Sequence, residues 1–355
     1  MYRKIFIKIS LAIFLLGPFC IANAQHENEE EKFNPGTFIL DHIGDAYEWH
    51  ILTLGEHHVS VPLPVILYSK QSGFHVFMSS KFHHGHDSYK GFSIAADGSD
   101  KGKIVEQVSD GAMARPTLDL SITKNVFGMF VSVVLILWIF LSIAKQYERN
   151  PNKAPKGLQS LMEPLILFIR DDVARPAIGH KYERFMPYLL TLFFFVLINN
   201  LMGLIPIFPF GANVTGNIAI TLVLALFTFF ITIGSANRNY WIHIVNTPGV
   251  PWLLKFPIPL MPFIEFMGLL TKPFVLMIRL FANITAGHII ATGFFSLIFI
   301  FGAMSPAMGY GVSLVSVIFT VFMTVLELLV SFIQAYVFTL LSALYFGAAI
   351  EEAHH

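Results

Sequence analysis

Charge is scarce in this chain. Asp, Glu, Lys and Arg make up 13% of its 355 residues, against about 25% in an ordinary soluble domain. The scarcity is extreme near the C-terminus: from Pro273 to Ile350 only Arg279 and Glu327 carry formal charge. Acidic and basic residues cancel to a net charge of +0, so there is no basic footprint for nucleic acid. The single cysteine, Cys20, excludes an internal disulfide framework. HExxH, GxSxG and paired intramembrane Asp are all absent, which argues against an intramembrane enzyme. The two longest apolar segments do not repeat each other, which argues against a secondary transporter built on internal repeats, the main alternative for an Arg/Glu/His ion path.

What is present is apolar: 55% hydrophobic residues, with 36 Phe. One bilayer crossing takes roughly 20 such residues. A lone Arg at the membrane centre costs at least about 2.5 kcal/mol. An opposite pair there reads first as an ion or proton path, with a structural ion pair between two helices as the alternative.

Residues 1–24 are read as a secretory signal. Arg3, Lys4 and Lys8 form the basic start, Ile9–Leu16 the apolar centre, and Ala22-Asn23-Ala24 the cleavage site, which would remove Cys20. An uncleaved anchor is the alternative. Residues 25–122 are polar and hold nine of the 14 histidines. Strand-like runs at Ile51–Leu54, Val59–Tyr68, Phe74–Met78 and Gly91–Ala95 point to a small, partly β extracytoplasmic domain. His83, His84 and His86 with Asp87 could bind a metal, but such spacing is unspecific and no second cluster has the spacing of a structural zinc site; the expected reading is a solvated loop, with no metal or other cofactor.

Residues 123–350 form the expected membrane domain, with a cytoplasmic tail at 351–355. Spans are expected at Val126–Ala144, Phe185–Ile205 and Ile218–Ser235, and in two long segments, Met261–Ile300 and Gly311–Ile350, joined near Gly302–Tyr310. Each long segment exceeds a perpendicular crossing, so it is tilted, or the first is broken at Pro273. Leu158, Leu161, Met162, Leu165, Phe168 and Ile169 recur on one helical face, the pattern of a helix on the membrane surface. Lys145, Arg149, Lys153 and Lys156 follow the first span, and Arg238 and Lys255 lie in a later loop without acid. By the positive-inside rule these sides are cytoplasmic, which places residues 25–122 outside and the C-terminus inside. The fold expected is an all-α polytopic membrane protein of five spanning helices, two of them long and tilted in a hairpin, plus one surface helix and the outer domain.

The run Ile278-Arg279-Leu280-Phe281-Ala282-Asn283-Ile284-Thr285-Ala286-Gly287-His288 resembles a signature of subunit a of the F-type rotary ATP synthase. A second resemblance follows: Glu327 and, seven residues on, Gln334-Ala335-Tyr336-Val337-Phe338. Asn199-Asn200-Leu201 through Pro206, Asn213-Val214-Thr215, and Pro257–Lys272 with Glu265 also agree, so the likeness covers about residues 120–350. Many bacterial members place a carboxylate where this chain has His288 and a His where it has Glu327. The exchanged arrangement here resembles the mitochondrial one and keeps one acid and one imidazole.

The resemblance implies a non-catalytic, multi-pass subunit of a bacterial inner membrane, with the outer domain in the periplasm. Its partners would be membrane lipid, a c-subunit ring and the b-subunit peripheral stalk. It would pass protons through two half-channels against the turning ring, coupling the proton gradient to ATP synthesis on other subunits. Arg279 would face the ring, its guanidinium unable to deprotonate. Asn283, one turn on, shares that face, and is assigned to the polar lining. His288, nine residues from Arg279, points the other way and would relay protons in the outer half-channel. Glu327 would be its partner. Gln334, on the same face as Glu327, would lie near Arg279. Glu265 is assigned to the inner exit channel, with an interfacial role beside Lys272 as the alternative. The outer domain is expected to be dispensable for proton transfer itself.

Overall fold

The computed structural model describes residues 35–36, 39, 43–54, 57–85, 87–107, 113–149, 154–205, 207–246 and 260–351. The signal segment, His86, Pro206, Pro257 and residues 352–355 lie outside them.

The N-terminal domain is built from short strands. β1 (Glu48–Leu54) and β2 (His57–Pro62) form a hairpin in which Trp49 faces Val61. β3 (Pro64–Ser69), β4 (Gly73–Met78) and β8 (Leu118–Asp119) make one antiparallel sheet, ordered β4-β3-β8. β5 (Phe92–Ile94), β6 (Ile104–Gln107) and β7 (Met113–Ala114) make another. The run expected as one strand over 59–68 is two strands, parted at Leu63, whose backbone N–H donates to the Ser79 hydroxyl and whose carbonyl accepts from Ser79 N. Alternation sends Val65 and Leu67 inward onto Tyr47, Phe82, Phe92 and Ile104. Phe74, Val76 and Met78 on β4 and Tyr68 on β3 remain exposed on the other face. Burial pushes the Asp45 carboxyl above its ordinary pKa. The Tyr47 hydroxyl is likewise pushed up, by burial first and then by the Asp119 carboxylate it donates to.

Five helical segments are long and apolar enough to cross a membrane. α1 (Lys124–Arg149) comes first. α2 (Leu158–Phe168), a π turn (Ile169–Ala174), α3 (Arg175–Ile178) and α4 (Tyr182–Gly203) form the second. The helix expected over 158–169 therefore forms, but it runs on toward α4 instead of ending. Gln159 on it is buried, and the π turn, which rotates the face, seats Ile169, Val173 and Ala174 fully inside the core. α5 (Ile218–Ser235) begins at Asn217, whose side chain accepts from Ala219 N. The short α6 (Arg238–Val245) follows.

α7 (Leu260–Met304) and α8 (Pro306–Ile350) are 45 residues each, about 68 Å at 1.5 Å per residue, where the hydrocarbon core is about 30 Å. α7 is not broken at Pro273: the helix continues through it, with the ring buried. The turn to α8 is a single residue, Ser305, not the nine-residue loop expected. Close approach at the tip explains this. A Cβ on Gly309 would meet Gly302 Cα at 2.8 Å, so only glycine lets the two helices close there.

The core lies where α4, α5, α7 and α8 meet. Leu189, Phe193, Phe194, Leu276, Leu280, Ala343 and Phe346 are fully buried there. Gly347 lets the Ala177 carbonyl come against α8. At the C-terminal end of α8, Asn237 donates from its backbone to Ala349 O and from its side chain to Ile350 O, both at 2.8 Å, satisfying carbonyls that a helix end otherwise leaves open.

Candidate functional site

Arg279 lies on α7 with its side chain exposed at the surface of the chain, in an apolar stripe with Val275, Ile278 and Ala282. No described acidic side chain lies within ion-pair distance of it. Arg279 and Glu327 are thus not a structural ion pair. Arg279 is within electrostatic reach of the Tyr345 hydroxyl on α8. Asn283, four residues on, is exposed on the same stripe and also lines a cavity between α4, α7 and α8.

That cavity brings together Asn283 with His288 and Glu327. Its volume is about 150 Å³, and Asn200, Gly287, Met323 and Ser331 complete the wall where the chemistry lies. Gly287 is what lets the acid in. A Cβ there would lie 2.6 Å from Glu327 Oε1 and 3.1 Å from its Cγ. On the far side, His288 Nε2 comes within 3.9 Å of where a Gly203 Cβ would stand. The wall is held by side-chain amides. The Thr215 hydroxyl donates to Asn200 Oδ1, and Asn200 Nδ2 donates to the Ser331 carbonyl at 3.2 Å. Glu327 Oε1 and Ser331 Oγ are buried without a protein partner, as are Thr285, Ser316 and Thr320 Oγ along the same hairpin.

Gln334 is buried on the face of α8 that carries Glu327 and Ser331. Phe294 stacks on Phe319, and Gly287 abuts Glu327. Continued one way, that antiparallel register puts Gln334 level with Arg279. Continued toward the tip, it sets Thr292 level with Thr320 and Ser296 level with Ser316.

Glu265 stands apart, half-buried near the start of α7. It is within electrostatic reach of Lys272 and Tyr240. The Lys272 ammonium donates to the Tyr240 hydroxyl at 3.4 Å and sits over the Tyr240 and Tyr345 rings. Among the described residues no group of three or more His, Cys, Asp or Glu could hold a metal. Sequence reasoning did not single out Gly203 or Ser331, and it gave Gly287, a member of the quoted signature, no role of its own. Ser331 had a usable signal, four residues after Glu327; Gly203 had none, because its role depends on a loop folding back.

Fold and site together define a polytopic membrane protein with a titratable cavity between long helices and an unpaired Arg facing outward. The comparisons agree. The family described as ATP synthase A chain matches residues 126–347. A second family, described as a domain of unknown function (DUF8433), matches residues 38–123. The chain is 46% identical over 244 residues to ATP synthase subunit a of Chloroherpeton thalassium, covering 67% of this chain and 69% of that one. It is 46% identical over 238 residues to ATP synthase subunit a 2 of Chlorobaculum tepidum, covering 65% and 64%. To ATP synthase subunit a of an Anaeromyxobacter species it is 38% identical over 267 residues, covering 72% and 60%. The chain belongs to the ATP synthase subunit a family.

Proposed function

We propose that this chain is the stationary, proton-conducting subunit of the membrane sector of a rotary ATP synthase, working against a c-subunit ring and held by a b-subunit stalk. The single observation that carries the reading is the cavity shared by Asn283, His288 and Glu327, one helical turn from an outward-facing Arg279. An orphaned polar atom buried in lipid costs several kcal/mol. A cavity of this size admits several water molecules, which would satisfy Glu327 Oε1 and Ser331 Oγ. The level pairs Thr292/Thr320 and Ser296/Ser316 continue the polar seam toward the Ser305 tip. That seam is the outer half-channel in this reading, with the 38–123 domain in the periplasm, the C-terminus in the cytoplasm and the inner membrane between.

Protons come in along the seam, pass between the His288 imidazole and the Glu327 carboxyl, and are handed past Asn283 to a ring carboxylate. Arg279, which stays protonated at every working pH, keeps the arriving ring carboxylate ionised and blocks direct leakage. A Lys in its place could lose its proton in a dry site. Gln334, level with Arg279, supplies polar company on the α8 side. Glu265 lies toward the inner side, where Lys272 and Tyr240 share its field. Tilt of the α7–α8 hairpin reconciles its length with the bilayer and lays the Arg279 stripe along the ring. ATP chemistry belongs to other subunits. The test is Arg279→Ala in the whole complex. Assembly is expected to be normal and proton-driven ATP synthesis in membrane vesicles lost; normal synthesis would refute the assignment.

A further inference from the structure

The 38–123 domain is not merely tethered to α1; it is clipped to it. Asp45 accepts from Asn125 N at 3.0 Å and from the Thr123 hydroxyl at 2.8 Å, and Ala46 O accepts from Lys124 N. Beside this clip Trp49 of β1 is 5% exposed. Its ring meets Phe127 of α1 and Phe208 of the 207–217 loop edge-on, at 5.9 and 5.5 Å between centroids. Ala212 and Val214 of that loop share its buried cluster, with Val61 packed alongside.

The same loop residues reach the cavity. Ala212 is pinned between two glycines: a Cβ on Gly128 of α1 would lie 2.6 Å from Ala212 Cβ, and one on Gly203 of α4 would lie 3.4 Å from the Ala212 carbonyl. His288 Nε2 is 3.9 Å from that same Gly203 point. One residue past Val214, Thr215 holds Asn200, and Asn200 holds the Ser331 carbonyl. Two lines of neighbouring residues therefore run from Trp49 to the cavity wall, one ending near His288 and one at Asn200.

We propose that the outer domain sets the outer wall of the proton cavity, with Trp49 as the positioning residue that presses the 207–217 loop onto Gly203 and Asn200. The domain carries no proton itself; it fixes the space in which His288 and Glu327 exchange one. Those two are the cavity's titratable groups, from α7 and α8, while α4 contributes only Asn200, joined by Leu204 at its C-cap. This rests on the cavity being the proton path.

The experiment uses the whole complex in membrane vesicles and reads assembly, proton-driven ATP synthesis and the outside pH of half-maximal passive proton conduction. Trp49→Ala is expected to assemble and to lower synthesis about tenfold, short of the ~100-fold that a 1 Å misplacement of a reacting group costs. It should also shift the pH of half-maximal conduction, which loss of assembled complex alone would not move. Trp49→Phe, which keeps a ring in the cluster, should restore most of both, and the surface change Asp97→Asn should alter neither. If Trp49→Ala does not assemble, Val61→Ala, which thins the same cluster, decides by the same two readouts. Unchanged rate and unchanged pH profile in the assembled variant would overturn the proposal. Glu327→Gln separates the two levels: if it is inactive while Trp49→Ala is normal, only the wall-setting role fails. If Glu327→Gln is fully active, the cavity is not the path and this inference falls with it.

Discussion

Gly287→Ala is the most direct test of the cavity because stability and function are expected to diverge. A Cβ at this position lies 3.1 Å from Glu327 Cγ and 3.3 Å from its Cδ, as well as 2.6 Å from Oε1. Carbon atoms prefer about 3.5–4.0 Å, so the carboxyl must retreat by roughly half an ångström. Overpacking of this kind costs about 1–3 kcal/mol. Ala in place of Gly returns about 1 kcal/mol of helix preference, so the net loss of stability is small and the complex should assemble. Proton transfer is less forgiving, since donor and acceptor must sit about 2.6–3.2 Å apart or share one water. A shift of half an ångström should cost on the order of tenfold in rate, taking ~100-fold for a full ångström. The assay is proton-driven ATP synthesis in vesicles, normalised to assembled complex. Glu327→Asp in the same chain shortens the acid by one methylene and should recover part of the loss. An assembled Gly287→Ala complex that keeps more than half of its rate would show that the position of the Glu327 carboxyl does not limit proton transfer.

Two further outcomes are expected. If His288 and Glu327 act as the proposed pair, replacing either by a residue that cannot titrate should cut proton flux, and exchanging the two should restore part of it; single variants with full proton pumping would show that neither relays protons. Asp45→Ala removes the cap on α1 at a cost of about 1 kcal/mol, seen as earlier proteolytic release of the outer domain on heating. Burial raises the Asp45 pKa in the fold, so its stabilising share is complete below the ordinary carboxylate value of about 3.9 and is lost as pH rises through the raised one. The wild-type junction should therefore tighten on acidification and Asp45→Asn should not, and an equal pH response in the two would refute this.

The spanning segments were legible because a bilayer imposes one simple demand, a long run without charge. Ile218–Ser235 is read to the residue, fenced by Asn217 and the Asn237–Arg238 pair. The ends of α7 and α8 were not. Gly302 and Gly309 look like loop residues in a sequence, yet both are helical, and the missing Cβ of Gly309 lets the chains close at Ser305. Pro273 is one place where a break is expected, yet the helix continues through it with the ring buried. In the outer domain β6, β7 and β8 went unread. Each is four residues or fewer and is defined by its partner strand, which no local pattern reveals.

The site shows the same division between what one helix encodes and what two helices must supply. Nine residues separate Arg279 from His288, about two and a half helical turns, so their opposite directions follow from the 3.6-residue period alone. Hence an exposed Arg and a cavity-lining His were both readable. That Glu327 meets the backbone at Gly287, and that Asn200 is held from outside by Thr215, depends on register and on a returning loop. Shifting the hairpin turn from Ser305 by two residues would move α8 about 3 Å along α7 and carry the Glu327 carboxyl off the gap that Gly287 leaves. Insertion or deletion at the tip should then be more damaging than its distance from the site suggests. The residues that name the chemistry lie in the motifs, but the register between them depends on the Gly309 close approach at the tip and, in the proposal above, on a tryptophan in another domain.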